Sequence, residues 1–172
     1  MKTFYNALIS AFNNTDNIEK YTRAGLKAPR IIDLYNGQDF NPEYFDMLTL
    51  PALYVSMRID YNENTAILSL DFKLLYEQLR NTSNFSLSSE NALKFFDLAN
   101  ITDEIIKSIS TNKTGSLRLL NEGLEPEPTV TDAYLLSYEC EYYGKQKTRE
   151  RETLSGSIDD IKIKSGLYKG LL

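Results

Sequence analysis

Histidine and tryptophan are both missing from this 172-residue sequence, and cysteine occurs once. Without histidine the chain lacks the one side chain that titrates unperturbed near neutral pH, and with it the commonest metal ligand. That excludes a Ser-His-Asp or Cys-His catalytic site built within one chain. A single cysteine, Cys140, excludes an intrachain disulfide and a Cys-rich zinc site, and points to a reducing, intracellular setting. No apolar run approaches the roughly 18 residues of a membrane-spanning helix. Residues 4–12 are apolar-rich after Lys2, but Asn6 and Ser10 interrupt them and no small-residue cleavage site follows. An amphipathic helix is the expectation there, not a signal sequence.

What is present points to an ordered domain. The apolar fraction of 42% and charged fraction of 25% match globular averages, and the length suits one domain better than two. Twelve tyrosines and eight phenylalanines supply bulky rings for a core or an interface. Charge is unevenly spread. Residues 145–172 hold seven basic groups against four acidic, a net of +3, which leaves the first 144 residues at −8 out of a total of −5. An acidic body with a basic tail suggests contact between copies or with a partner.

Periodicity organises the body. Phe4, Leu8 and Phe12 recur every four residues on one helix face, and the cluster Asn13-Asn14-Thr15-Asp16 ends or re-caps that helix, with residues 18–21 adding a further turn. Residues 31–35 read as a short strand ended by Asn36-Gly37. Leu53, Val55, Met57 and Ile59 alternate with polar neighbours, and so do Ala66, Leu68, Leu70, Phe72, Leu74 and Tyr76 after the turn at 61–64. These two runs predict an antiparallel hairpin with one face in the core, Lys73 and Leu75 falling on the other. Ser88-Ser89-Glu90 opens a helix of about twenty residues, with Leu98, Ile101, Ile105 and Ile109 at three- and four-residue spacing and Ala92, Phe95 and Phe96 upstream. A short strand at 116–120, a proline-stiffened loop at 122–128 and a long strand from Tyr134 to Tyr142 complete the body. The expected fold is therefore α+β: a mainly antiparallel sheet packed by two helices, residues 1–143, followed by an extended charged arm, residues 144–172.

Carboxylates are the remaining catalytic material. Glu139 and Glu141 share one strand face, a spacing that glycosidase acids could use, but outward-facing strand acids also deter unwanted edge pairing, and that is the expectation. Asp159-Asp160 offers no third ligand at a fixed offset for a divalent cation. Cys140 shares a face with Leu136, Tyr138 and Tyr142, so it reads as a buried core residue without a base to activate it. Gly144-Lys145 with Thr148 has the letters of a phosphate loop without its spacing. The basic run Lys145, Lys147, Arg149 and Arg151 is interleaved with Glu150 and Glu152, which favours salt bridges to protein over nucleic acid. No cofactor or metal is expected, and no enzyme.

The order of elements resembles the small α+β subunits of tailed bacteriophages: tail terminator, tail completion and head–tail connector proteins. The resemblance covers residues 1–143. It lies in Pro51-Ala52-Leu53-Tyr54-Val55, the alternating run at 66–76, the helix near 90–110, Gly115-Ser116-Leu117, and the closing stretch from Thr131-Asp132-Ala133-Tyr134 to Tyr138-Glu139-Cys140-Glu141-Tyr142. It implies a structural virion protein that forms a homo-oligomeric ring in the neck or tail, joining portal or head to tail around the DNA channel. The implied partners are copies of itself and the portal or adjacent neck and tail proteins, with DNA only as passing cargo and no membrane. The implied location is the virion, and the host cytoplasm during assembly. The residues expected to carry subunit contact lie in the arm: Lys145, Lys147, Arg149, Arg151, Ile158, Ile161, Ile163, Leu167 and Tyr168. Two other readings stand beside it: an adaptor that binds one protein through the same arm, and a carboxylate-dependent hydrolase.

Overall fold

A computed structural model describes residues 1–40, 49–62, 64–77, 82–83, 85, 87, 89–125 and 131–145. Helix α1, Lys2–Phe12, forms on the predicted face and buries Phe4, Leu8 and Phe12. The cluster after it does more than cap. Asn14 accepts a hydrogen bond from the Asp16 backbone N–H at 2.8 Å and starts a separate helix, α2, Thr15–Arg23. Gly25 ends α2 at φ 69°. Its N–H reaches the Thr22 carbonyl, and the Leu26 N–H reaches the Tyr21 carbonyl at 2.9 Å, the paired bonds of a Schellman cap. So the described chain has three helices where two were expected, α3 being Ser89–Lys107. None of the described helices is long and apolar enough to cross a membrane.

The strands are β1, Ile31–Leu34; β2, Ala52–Asp60; β3, Ala66–Tyr76; β4, Arg118–Glu125; and β5, Asp132–Tyr142. They form one sheet in the order β1-β2-β3-β5-β4. Only β1 and β2 pair in parallel; the other three pairings are antiparallel, and the β2–β3 hairpin runs in the predicted phase with Val55 opposite Phe72 and Met57 opposite Leu70. The α+β class is as expected.

All three helices pack on one face of the sheet. Leu53, Val55, Leu68, Leu70, Phe72, Leu74, Leu136 and Tyr138 meet Phe4, Leu8 and Phe12 of α1, Tyr21 of α2, and Phe95, Leu98, Ile105 and Ile106 of α3 in one continuous core. Two polar groups enter this core already paired. Thr102 donates its hydroxyl proton to the Leu98 carbonyl at 2.7 Å, so the 2.9 Å contact with Tyr21 has the tyrosine as donor. Tyr138 donates to Asp103 at 2.6 Å, and Lys107 holds the other oxygen of that carboxylate at 2.7 Å.

One boundary is corrected. The 116–120 strand and 122–128 loop are replaced by a strand over Arg118–Glu125, with residues 126–130 outside the described part. A proline breaks the ladder only at its own missing N–H, so Pro126 allows pairing up to Glu125, which sits opposite Ala133. A register shift between Leu119 and Asn121 accommodates one extra residue in β4.

Candidate assembly surfaces

The second face of the sheet is divided into a covered half and an open half. Where β2, β3 and β5 run through Ala52-Leu53-Tyr54, Lys73-Leu74-Leu75 and Ala133-Tyr134, both faces are buried, and Ala52, Tyr54, Leu75 and Ala133 form a small second core with Ile31, Tyr35 and Leu50. Lys73 lies inside this half at 6% exposure, which corrects its expected place on a solvent face. Its ammonium sits 2.8 Å from Asp39, 2.9 Å from Glu125 and 3.4 Å from the Tyr35 hydroxyl, over the Tyr35 and Phe40 rings. Asp39 has no exposed surface and also accepts from the Tyr35 hydroxyl at 2.9 Å. Burial alone would lower the Lys73 pKa, but the hydrogen bonds and charges of Asp39 and Glu125 outweigh it, so the group is held well above its ordinary value. Gly123 stands in the same cross-strand row as Lys73, through Leu135. This cluster pins residues 35–40 across the sheet and thereby sets the position of the end of β1.

The other half of that face is polar. Cross-strand rows place Asp60, Ile67 and Glu141 together, then Arg58, Ser69, Glu139 and Arg118, then Ser56, Asp71, Ser137 and Asn121. Four acids stand there against two bases. Arg118 pairs with Glu139, and Ser137 donates to Asp71 at 2.6 Å.

Both edges of the sheet are open among the described residues, and they are unlike. On one side β4 lies outermost along its whole length, with Leu120 and Leu124 about half exposed. On the other side β1 covers only Ala52–Val55 of β2. The Tyr35 N–H bonds the Val55 carbonyl at 3.0 Å, so by strand alternation Met57 and Ile59 turn their N–H and C=O groups toward the same edge, with no described strand beside them. Below that bare stretch runs a groove of ≈ 720 Å³, walled by Met1, Lys2 and Tyr5 of α1, floored by Val55, Met57 and Ile59, and headed by Leu34 and Tyr35. Tyr5 fixes the wall: its hydroxyl lies 3.4 Å from both the Ile32 carbonyl and Asp33.

The residues singled out beforehand fall as follows. Glu139 and Glu141 lie on the sheet face away from the helices, Glu139 half-buried and Glu141 exposed, and Tyr143 donates to Glu141. Cys140 is buried and unpaired in the helix-side core, and burial, with Glu139 and Glu141 beside it, pushes its thiol up to about 11. Lys145 is exposed at the end of the described chain. Lys147, Arg149, Arg151, Ile158, Ile161, Ile163, Leu167 and Tyr168 lie outside the described residues, as do Asp159 and Asp160. Among the described residues no group of three or more Cys, Asp or Glu could hold a metal ion.

Comparison with protein-family models and with curated proteins finds no match for this chain.

Chemically, these surfaces suit association. An uncovered strand edge offers backbone donors and acceptors in a fixed repeat, and alternate side chains beneath it select apolar residues. Sequence reasoning missed the groove because it arises from the length mismatch between the four residues of β1 and the nine of β2. The Lys73 cluster did leave a trace: Ala52, Tyr54, Leu75 and Ala133 are apolar on the phase assigned to solvent.

Proposed function

We propose that the chain is a structural subunit of a tailed-phage virion, a connector or terminator protein that forms an oligomeric ring in the neck or tail and joins head to tail around the DNA channel. The observation that carries this reading is the sheet with two unlike edges that are open among the described residues, β4 along one side and the Ser56 to Asp60 half of β2 along the other. A contact between unlike surfaces is heterologous, and a chain of such contacts closes into a ring when the rotation per copy divides a full turn. The acid-rich open face of the sheet adds support, because a surface of that sign repels the phosphate backbone of DNA in transit. The order of elements, with β2–β3 as a hairpin followed by α3, β4 and β5, is compatible with this reading.

Multi-angle light scattering and negative-stain imaging of the purified full chain test the proposal. Closed rings of uniform copy number are expected, alone or on addition of a portal protein. A monomer at high concentration under both conditions overturns it.

A further inference from the structure

We propose that the groove between α1 and the open half of β2 receives residues 158–164 of a second copy, which add a strand beside Met57 and Ile59. This deepens the ring reading and rests on it for the identity of the occupant.

Four observations meet here. The first is the edge itself, where Met57 and Ile59 present backbone groups with no strand beside them among the described residues, groups that an added strand would pair. The second is the pattern the groove demands. An added strand turns every second side chain down onto Val55, Met57, Ile59 and Tyr5, and the others up toward the open sheet face, where Asp33, Asp60 and Arg58 stand. Ile161-Lys162-Ile163-Lys164 has that alternation, with isoleucines for the apolar floor and lysines for the outer side.

The third is charge. Two cationic groups, Lys2 and the amino terminus of Met1, stand at the groove wall, and the Met1 amino group lies 3.3 Å from the Tyr142 hydroxyl. That contact places them toward the Asp60 end of β2, since Tyr142 pairs with Ala66 at the same end of the sheet. In the sequence Asp159-Asp160 immediately precedes Ile161, so a strand entering from this end brings Asp159, which shares the side of Ile161 and Ile163, to the cationic wall first.

The fourth is direction and reach. β5 finishes at Tyr142, in the row next to Asp60, Ile67 and Glu141, so the chain leaves the body at the level of the groove. The described chain ends beside residues 113–115, on the β4 side of the sheet, opposite the groove. A copy set against β4 therefore presents its own groove to the departing chain. The 18 residues between Tyr142 and Ile161 span up to about 60 Å when extended. The gap to bridge is a few strand spacings of ~4.8 Å each.

Two variants of the full chain, each with one added cysteine, Ser56→Cys on the groove edge and Lys164→Cys in the arm, are mixed during assembly and treated with a short bismaleimide. The unmodified chain, whose Cys140 is buried, is the blank. A two-chain product is expected in the mixture and not with either variant alone. Ile163→Asp in the arm, which leaves the body untouched, lowers the yield by about tenfold, because a charge then enters the apolar groove. Met57→Lys does the same from the groove side. No product in a mixture that still forms rings overturns the docking and leaves the ring reading standing. In the double variant Ser56→Cys with Lys164→Cys, assembled with an excess of unmodified chain, a crosslink that stays within one chain overturns the second copy as occupant. A product in the mixture without closed rings keeps the docking and removes the ring.

Discussion

Replacing Lys73 with methionine keeps the aliphatic stem and removes the ammonium that lies within 3 Å of two carboxylates. The two partners respond differently. Glu125 has a side chain 21% exposed and can turn toward solvent, whereas Asp39 is at 0% and, among the described residues, keeps only the Tyr35 hydroxyl as a donor. Breaking a buried ion pair from one side costs about 3–5 kcal/mol, against at most about 1 kcal/mol for an exposed pair. Because one of the two acids can escape, the expected loss lies near the lower end, about 3 kcal/mol. For a chain of this size that corresponds to a fall in Tm of roughly 6–12 °C. Urea unfolding followed by far-UV circular dichroism measures it directly. The double variant Lys73→Met with Asp39→Asn should lose less than the sum of the two single changes, since Asp39 is then no longer left as a fully buried unpaired charge. A loss below about 1 kcal/mol for Lys73→Met, with additive behaviour in the double variant, would refute the claim that this cluster holds residues 35–40 on the sheet.

Stability should also decline on the alkaline side. Burial raises the Tyr21 and Tyr138 hydroxyls, Tyr76 to about 12 and Cys140 to about 11, and the carboxylates around Lys73 raise that group. A folded pKa above the unfolded one contributes stability below the unfolded value and loses it as pH rises through the folded value. All five act in the same direction, so urea midpoints should be level from pH 7 to 8.5 and fall steadily above about pH 9; a midpoint that rises there contradicts the assignment. At Gly144, an added Cβ would strike the Tyr142 ring, which folds back over that position. Gly144→Ala should therefore cost about 1–3 kcal/mol by overpacking, measured as a lower Tm, and a neutral result would show that Tyr142 can rotate away freely.

Much of the body was legible beforehand because its signals are local. Phe4, Leu8 and Phe12 repeat at the helical period, and Leu68, Leu70, Phe72 and Leu74 at the strand period, so the element type follows from side-chain direction alone. The α2 helix was half visible in the Asn13-Asn14-Thr15-Asp16 cluster, where the Asn14 side chain satisfies the Asp16 backbone N–H two residues on. Lys73 shows where such reading stops. Strand alternation assigns it a face but not what covers that face, and the cover comes from Asp39 and Tyr35, more than thirty residues away.

The candidate surfaces divide along the same line. Composition and order by themselves determined an acidic body, a basic arm with an Ile-Lys-Ile-Lys alternation, and the lack of any histidine-dependent chemistry, because charge and residue type are properties of single positions. Tertiary structure alone decided that β4 is an edge, that β1 stops short along β2, and that α1 stands far enough off to leave a groove. Strand order and strand overlap depend on which distant segments bury their apolar faces together, and no window of neighbouring residues records that.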